Sequence, residues 1–71
     1  MNRMSLIVFR GSEPTGEYVF QTPLPESEAS TYALTRLKPE LSGVILGSHG
    51  IIGQSANLPE SNPWYRSKEK Y

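Results

Sequence analysis

The residues whose types could take part in a reaction lie in the stretch GVILGSHGIIGQ, positions 43–54, where the only histidine of the chain, His49, follows Ser48. A serine nucleophile needs a base whose ring is oriented by a third group, commonly a carboxylate. The chain contains no aspartate, and side chains that are neighbours in sequence seldom point at each other. We therefore predict a turn between two strands here, and no catalytic residue.

Three glycines in this stretch, Gly47, Gly50 and Gly53, recur at every third position and invite comparison with phosphate-binding loops. Those loops open onto a helix whose N-terminus holds the anion. The continuation IIGQSANLP cannot start a good helix, so the glycines indicate hairpin and bulge geometry instead. One histidine and scattered glutamates form no ligand pair for zinc. We expect neither a cofactor nor a metal site.

The elements around this stretch are two hairpins and a helix. SLIVFRG (5–11) and EYVFQT (17–22) predict strands joined by a five-residue loop, and GVILG and GIIGQ predict a second hairpin. ESEASTYALTRL, beginning at Pro25 or Ser27 and stopped by Pro39, predicts a helix of about three turns. The fold class is α+β, a small antiparallel sheet of about four strands with one short helix and a flexible C-terminal tail.

Length and composition limit what this chain can be. Seventy-one residues make one domain at most, which we place at 1–56, with 57–71 as a flexible or disordered aromatic-basic tail. Seven basic residues balance seven acidic ones, so a general attraction to polyanions is not indicated. The apolar runs are too short for a bilayer span or a signal peptide. We expect a cytoplasmic protein without cysteine chemistry and without a membrane partner.

The first strand does not alternate between apolar and polar residues. Leu6 and Val8 face one side of the predicted sheet, and Ile7 and Phe9 face the other. One short helix covers only one side. The second side is then a partner site, a homodimer surface or a place for the tail to lie.

The end of the chain, PWYRSKEKY, combines aromatic residues with cations. Such residues anchor in protein grooves or stack on nucleic-acid bases, and a solubilising tail with Trp64 folded back on the domain is the alternative. The residues that we expect to bind a partner are Phe9, Tyr18, Phe20, Trp64, Tyr65, Arg66 and Lys68.

This layout resembles the small bacteriophage-encoded inhibitors that bind a bacterial enzyme, with RNA polymerase as a recurrent target. The resemblance rests on size, on the hairpin SLIVFRG and EYVFQT, on the helix ESEASTYALTRL, on the hairpin GVILGSHGIIGQ and on the tail NPWYRSKEKY. It implies a non-enzymatic regulator that docks on a larger protein and inhibits host transcription in the host cytoplasm. No residue role is carried over from it.

Two other functions remain open at this point. A small nucleic-acid-binding protein would stack Tyr18, Phe20 and Trp64 on bases and place Arg10, Arg66 and Lys68 on phosphates, with strongly salt-dependent affinity. An accessory subunit of a larger complex would be only marginally folded alone.

Overall fold

The computed structural model of the protein describes residues 1–65, and these form a four-stranded antiparallel sheet with one helix. The predicted α+β class is therefore confirmed, and the last six residues of the predicted tail, 66–71, lie outside the described part. The elements in chain order are β1 (Asn2–Arg10), β2 (Glu13–Thr22), α1 (Glu26–Thr35), β3 (Ser42–Gly47) and β4 (Gly50–Gln54).

The first hairpin turns more tightly than the sequence predicted. Arg10 pairs with Glu13, so the loop is two residues long instead of five. Gly11 takes a φ of 66° at the first loop position, a conformation that glycine adopts at no steric cost and that suits a two-residue hairpin. The proline that suggested a longer loop, Pro14, is tolerated because β2 is an edge strand.

The two hairpins lie side by side, giving the strand order β2-β1-β3-β4. β1 is thus an inner strand, paired with β2 on one side and with β3 on the other, and α1 makes the connection between the hairpins. The second hairpin turns at Ser48 and His49 as predicted, with Gly47 opposite Gly50. A bulge after Ile45 shifts its register.

The helix packs over β3 and β4 and leaves much of β1 and β2 uncovered. Its position follows from small residues at the contact. A Cβ atom on Gly43 would lie 2.8 Å from Leu37 Cδ1 and 2.9 Å from Leu6 Cδ1, and one on Gly53 would lie 2.9 Å from the Ser30 hydroxyl oxygen. These glycines let α1 approach the sheet closely. Buried Ala29 is the small residue that α1 itself contributes to the contact.

Replacing Gly43 with valine tests this close contact. The added methyl groups must displace Leu37 and Leu6, and overpacking of this kind costs typically about 1 to 3 kcal/mol of folding free energy. Urea unfolding of Gly43→Val should show the loss as a lower midpoint with an unchanged slope. Gly16→Val is the matched control, since the nearest atoms there belong to the exposed ring of Tyr18. Equal losses in the two variants would contradict a role in seating the helix.

The two sides of the sheet carry separate cores. The helix-side cluster consists of Met4, Ala29 and Ile45, with Leu6, Phe20, Ala33, Leu34 and Ile52 packed against it. The tail-side cluster consists of Ile7, Phe9, Val44 and Leu58, with Leu46, Ile51 and Tyr65. The predicted division of β1 between two faces is thus confirmed.

The second face is covered in part by the segment 55–65, which contributes buried Leu58. The composition of this segment predicted little packing, and residues 57–65 were expected to belong to a flexible tail. In the structure they run as successive turns: Leu58 N–H donates to the Ser55 carbonyl and Tyr65 N–H donates to the Asn62 carbonyl. Backbone groups within these turns form hydrogen bonds with one another, so the segment can pack against the sheet without the regular apolar spacing of a helix or strand.

Asn62 fastens this segment to the first hairpin. Its side-chain amide donates to the Gly11 carbonyl at 2.9 Å, and its side-chain carbonyl accepts from Trp64 N–H at 2.8 Å. The residue is only 2% exposed. A buried amide with both ends satisfied fixes the position of the chain more specifically than apolar contact alone.

Within residues 1–65 no helix has the length and apolar character needed to cross a membrane. The ten residues of α1 are about half of the roughly 20 that a span requires.

Candidate functional site

The structure places Ser48 and His49 in the β3–β4 turn, where both are exposed. No group of three His, Cys, Asp or Glu residues suited to a metal ion occurs among the residues described. The features that distinguish the described surface are exposed apolar side chains, and several of them border a groove on the helix side of the sheet.

An open groove of about 390 Å³ lies between α1, the edge strand β2 and the neighbouring inner strand β1. It exists because α1 is displaced toward β3 and β4, so that the floor formed by Leu6 and Phe20 is only half-buried. We call it the β2–α1 groove. Its lining residues are Leu6, Phe20, Thr22, Leu24, Ala29, Tyr32, Ala33, Arg36 and Leu37.

The rim of the β2–α1 groove presents two large apolar side chains to solvent. Tyr32 on the helix is 57% exposed, and Leu24 in the β2–α1 connection is 38% exposed. The backbone of Leu24 is held in place by two hydrogen bonds. Its carbonyl accepts from the side-chain amide of Asn2 at 2.7 Å, and its N–H donates to the Thr22 hydroxyl at 3.2 Å. The groove is therefore largely preformed, which lowers the entropic cost of binding.

A cation lies at the same rim. The guanidinium carbon of Arg36 lies 5.0 Å from the centre of the Tyr32 ring, and the guanidinium also donates a hydrogen bond to the Tyr32 hydroxyl. The ring face attracts the cation, and the (i, i+4) spacing on the helix brings the two together. The arrangement can accept an apolar side chain in the groove and a carboxylate beside Arg36.

A second groove, of about 410 Å³, lies where the end of α1 meets the chain leaving β4. Its lining mixes leucines with threonines and polar side chains. Asn57 lines it and donates from its side-chain amide to the carbonyls of Pro39 and Leu41. These bonds hold adjacent loops together, and we assign this groove a structural role.

The residues predicted to bind a partner divide between the two faces. Phe20 lines the β2–α1 groove, whereas Tyr18 lies on the same side of β2 as an exposed ring over Gly16 and does not line the groove. Trp64 lies on the other face with its ring 6.2 Å from that of Phe9, and Tyr65 packs against the tail-side cluster. The predicted Arg66 and Lys68 lie outside the described residues.

Phe9 does not suit the predicted role. It is 0% exposed beneath the tail side, so a partner cannot reach it in this fold. Leu24 and Tyr32 at the rim were not among the residues predicted to bind a partner. For Tyr32 the available signal is an aromatic side chain in the predicted helix, whereas nothing in PLPE indicated that Leu24 would border a groove.

The three comparisons with known proteins agree: no family model matches this chain, and neither does any curated protein or solved structure.

Proposed function

We propose that this protein is a non-enzymatic regulator that docks on a larger protein, and that the β2–α1 groove receives an apolar segment of that partner. The observation that carries the proposal is the preformed apolar groove with Leu24 and Tyr32 exposed at its rim. Exposed apolar side chains around a concave site are a common feature of binding surfaces.

The chemistry of the groove indicates what the partner segment contains. Leu6, Phe20 and Leu24 offer only apolar surface, which suits an aliphatic or aromatic anchor. Arg36 at the rim suits an acidic residue next to that anchor. Binding through apolar contact changes little with added salt, whereas a nucleic-acid complex weakens steeply.

Bacterial RNA polymerase is the first candidate partner, on the strength of the resemblance to phage-encoded inhibitors described above. A small domain bound at a polymerase surface would inhibit transcription by masking that surface from another factor. The identity of the partner and the position of the docking groove are tested by two different experiments.

The partner identity is tested by titrating purified bacterial RNA polymerase with the labelled full chain at low and high salt. We expect Leu24→Asp to weaken binding by on the order of tenfold or more, because it places a charge at an apolar rim. Ser12→Asp adds the same charge in the exposed Gly11–Ser12 turn and should bind normally. No binding by the wild-type chain would refute polymerase as the partner.

The groove is tested independently of the partner's name. A photo-crosslinking phenylalanine analogue at Tyr32, in bacterial lysate, should capture one defined protein, and Leu24→Asp in the same chain should abolish the capture. The analogue at Trp64 reports on the opposite face. Capture from Trp64 with none from Tyr32 would move the docking site to the tail side, and recovery of nucleic acid released by salt would replace the proposal with the nucleic-acid function.

A further inference from the structure

The free edge of β2 is the second unusual feature of this surface. β2 is a ten-residue edge strand whose outer backbone groups have no neighbouring strand among the described elements. β4, at the opposite edge, is only five residues long, and a short strand offers few backbone groups for pairing. β2 has a register shift at Thr15 but pairs regularly with β1 from Gly16 to Thr22. In β2 the proline lies near one end, at Pro14, and the stretch from Glu17 to Thr22 contains no proline and one charge.

This stretch also exposes apolar side chains on both faces of the sheet. Tyr18 shares the helix side with Phe20, since their β1 partners Leu6 and Met4 both belong to the helix-side cluster. Val19 lies on the opposite side and is 55% exposed. An unpaired edge with apolar residues on both faces is a site for strand addition.

We infer that this edge pairs with a second copy of the same chain, β2 against β2 in antiparallel orientation, centred on Val19. Residues directly opposite in such a pair share a face of the sheet. Val19 of one copy then lies opposite Val19 of the other, Tyr18 lies opposite Phe20, and Glu17 lies opposite Gln21.

The composition of the strand favours this register. Two aromatic pairs form on the helix side, one at each side of the two-fold axis, and cross-strand aromatic pairs are stabilising. Each Glu17 faces an uncharged Gln21, so no like charges lie opposite each other. Centring the axis on Glu17 would place two carboxylates in contact, and centring it on Tyr18 would place Glu17 opposite the apolar Val19.

Within residues 1–65, the other elements leave this pairing open. α1 packs over β3 and β4, away from the β2 edge. The segment 55–65 meets the first hairpin at Gly11, at the other end of β2 from Phe20. The dimer would bring the apolar floors of two β2–α1 grooves together across the axis, because Tyr18 of one copy adjoins Phe20 of its partner.

Sedimentation velocity of the purified full chain, from about 5 to about 500 µM, tests the inference, since a small edge interface gives a weak dimer. We expect the dimer fraction to rise with concentration and Val19→Lys to remain monomeric, because it places two lysines at the axis. The measurement needs no other protein, so its outcome is independent of the proposed docking function.

Two substitutions at one exposed position test the register. In Gln21→Glu the new carboxylate faces Glu17 of the other copy, and the two symmetric pairs together should raise the dissociation constant of the dimer by on the order of tenfold. In Gln21→Lys the new cation faces Glu17, so this variant should strengthen the dimer. Thermal unfolding checks that both variants keep the fold. Shifts in the same direction, or a dimer that Val19→Lys leaves intact, would overturn this interface. A wild-type chain that stays monomeric throughout would overturn the self-pairing and leave the edge to a strand from another protein.

Discussion

Phe9→Ala is expected to leave the protein largely unfolded at 25 °C. Phe9 is fully buried between the sheet and the segment 55–65, where it contacts Val44, Leu58 and the ring of Trp64. Truncating a buried phenylalanine costs about 3 to 5 kcal/mol. Hydrophobic burial in a domain of this length rarely supplies a net stability of more than about 3 to 5 kcal/mol. The loss is therefore comparable with the whole stability of the domain.

Circular dichroism and urea unfolding measure this effect. Phe9→Leu keeps most of the buried apolar volume and should remain folded with a lowered midpoint, and Tyr18→Ala, which truncates an exposed ring of similar size, should cost little. A Phe9→Ala protein with the wild-type midpoint would mean that the segment 55–65 does not cover the tail side in solution.

Asn62→Ala should destabilise the protein by about 2 to 3 kcal/mol, the second largest effect that we expect. The substitution removes the bonds to the Gly11 carbonyl and to Trp64 N–H together. Each hydrogen bond makes a net contribution of about 0.5 to 1.5 kcal/mol to stability, and a partner group left buried without a hydrogen bond adds to the loss. The backbone of the residue also takes part in the turns that follow Leu58, because its N–H donates to the Pro59 carbonyl and its carbonyl accepts from Tyr65 N–H.

Asn57→Ala is the matched control for Asn62→Ala. Asn57 also makes two side-chain bonds to the backbone, to Pro39 and Leu41, but it is exposed, so water replaces the lost partners. Urea midpoints should therefore fall much further for Asn62→Ala than for Asn57→Ala. Similar small losses in both would show that Asn62 is accessible to water in solution.

These two results bear on how the function is tested. Removing the chain from Leu58 onward would uncover Phe9 as well as remove the aromatic residues of the tail. Loss of binding in such a truncation would report unfolding as readily as loss of an anchor. Point substitutions at the exposed residues Leu24 and Tyr32 leave the buried clusters intact and are the better probes.

The sequence by itself determined the order and type of the five elements and the turn of the second hairpin. Proline and glycine signals, together with β-branched runs, act over a few neighbouring residues, and they predicted the helix that begins after Pro25 and the hairpin at Ser48 and His49. The non-alternating LIVF run likewise indicated that both faces of β1 would be apolar. The loop of the first hairpin was predicted too long, because proline at an edge strand looks like proline in a loop.

The tertiary structure alone decided which element covers which face and where a groove remains. Gly53 was predicted to be a hairpin or bulge residue and Gly43 to begin a strand, and only the packed helix shows that α1 lies close against both. Asn62 reaches Gly11 across 51 positions of sequence. Such contacts depend on the shapes of surfaces formed by distant segments, and a local pattern of residue types does not contain that information. The groove at Leu24 and Tyr32 follows from the same packing, because it is the part of the sheet that the displaced helix leaves uncovered.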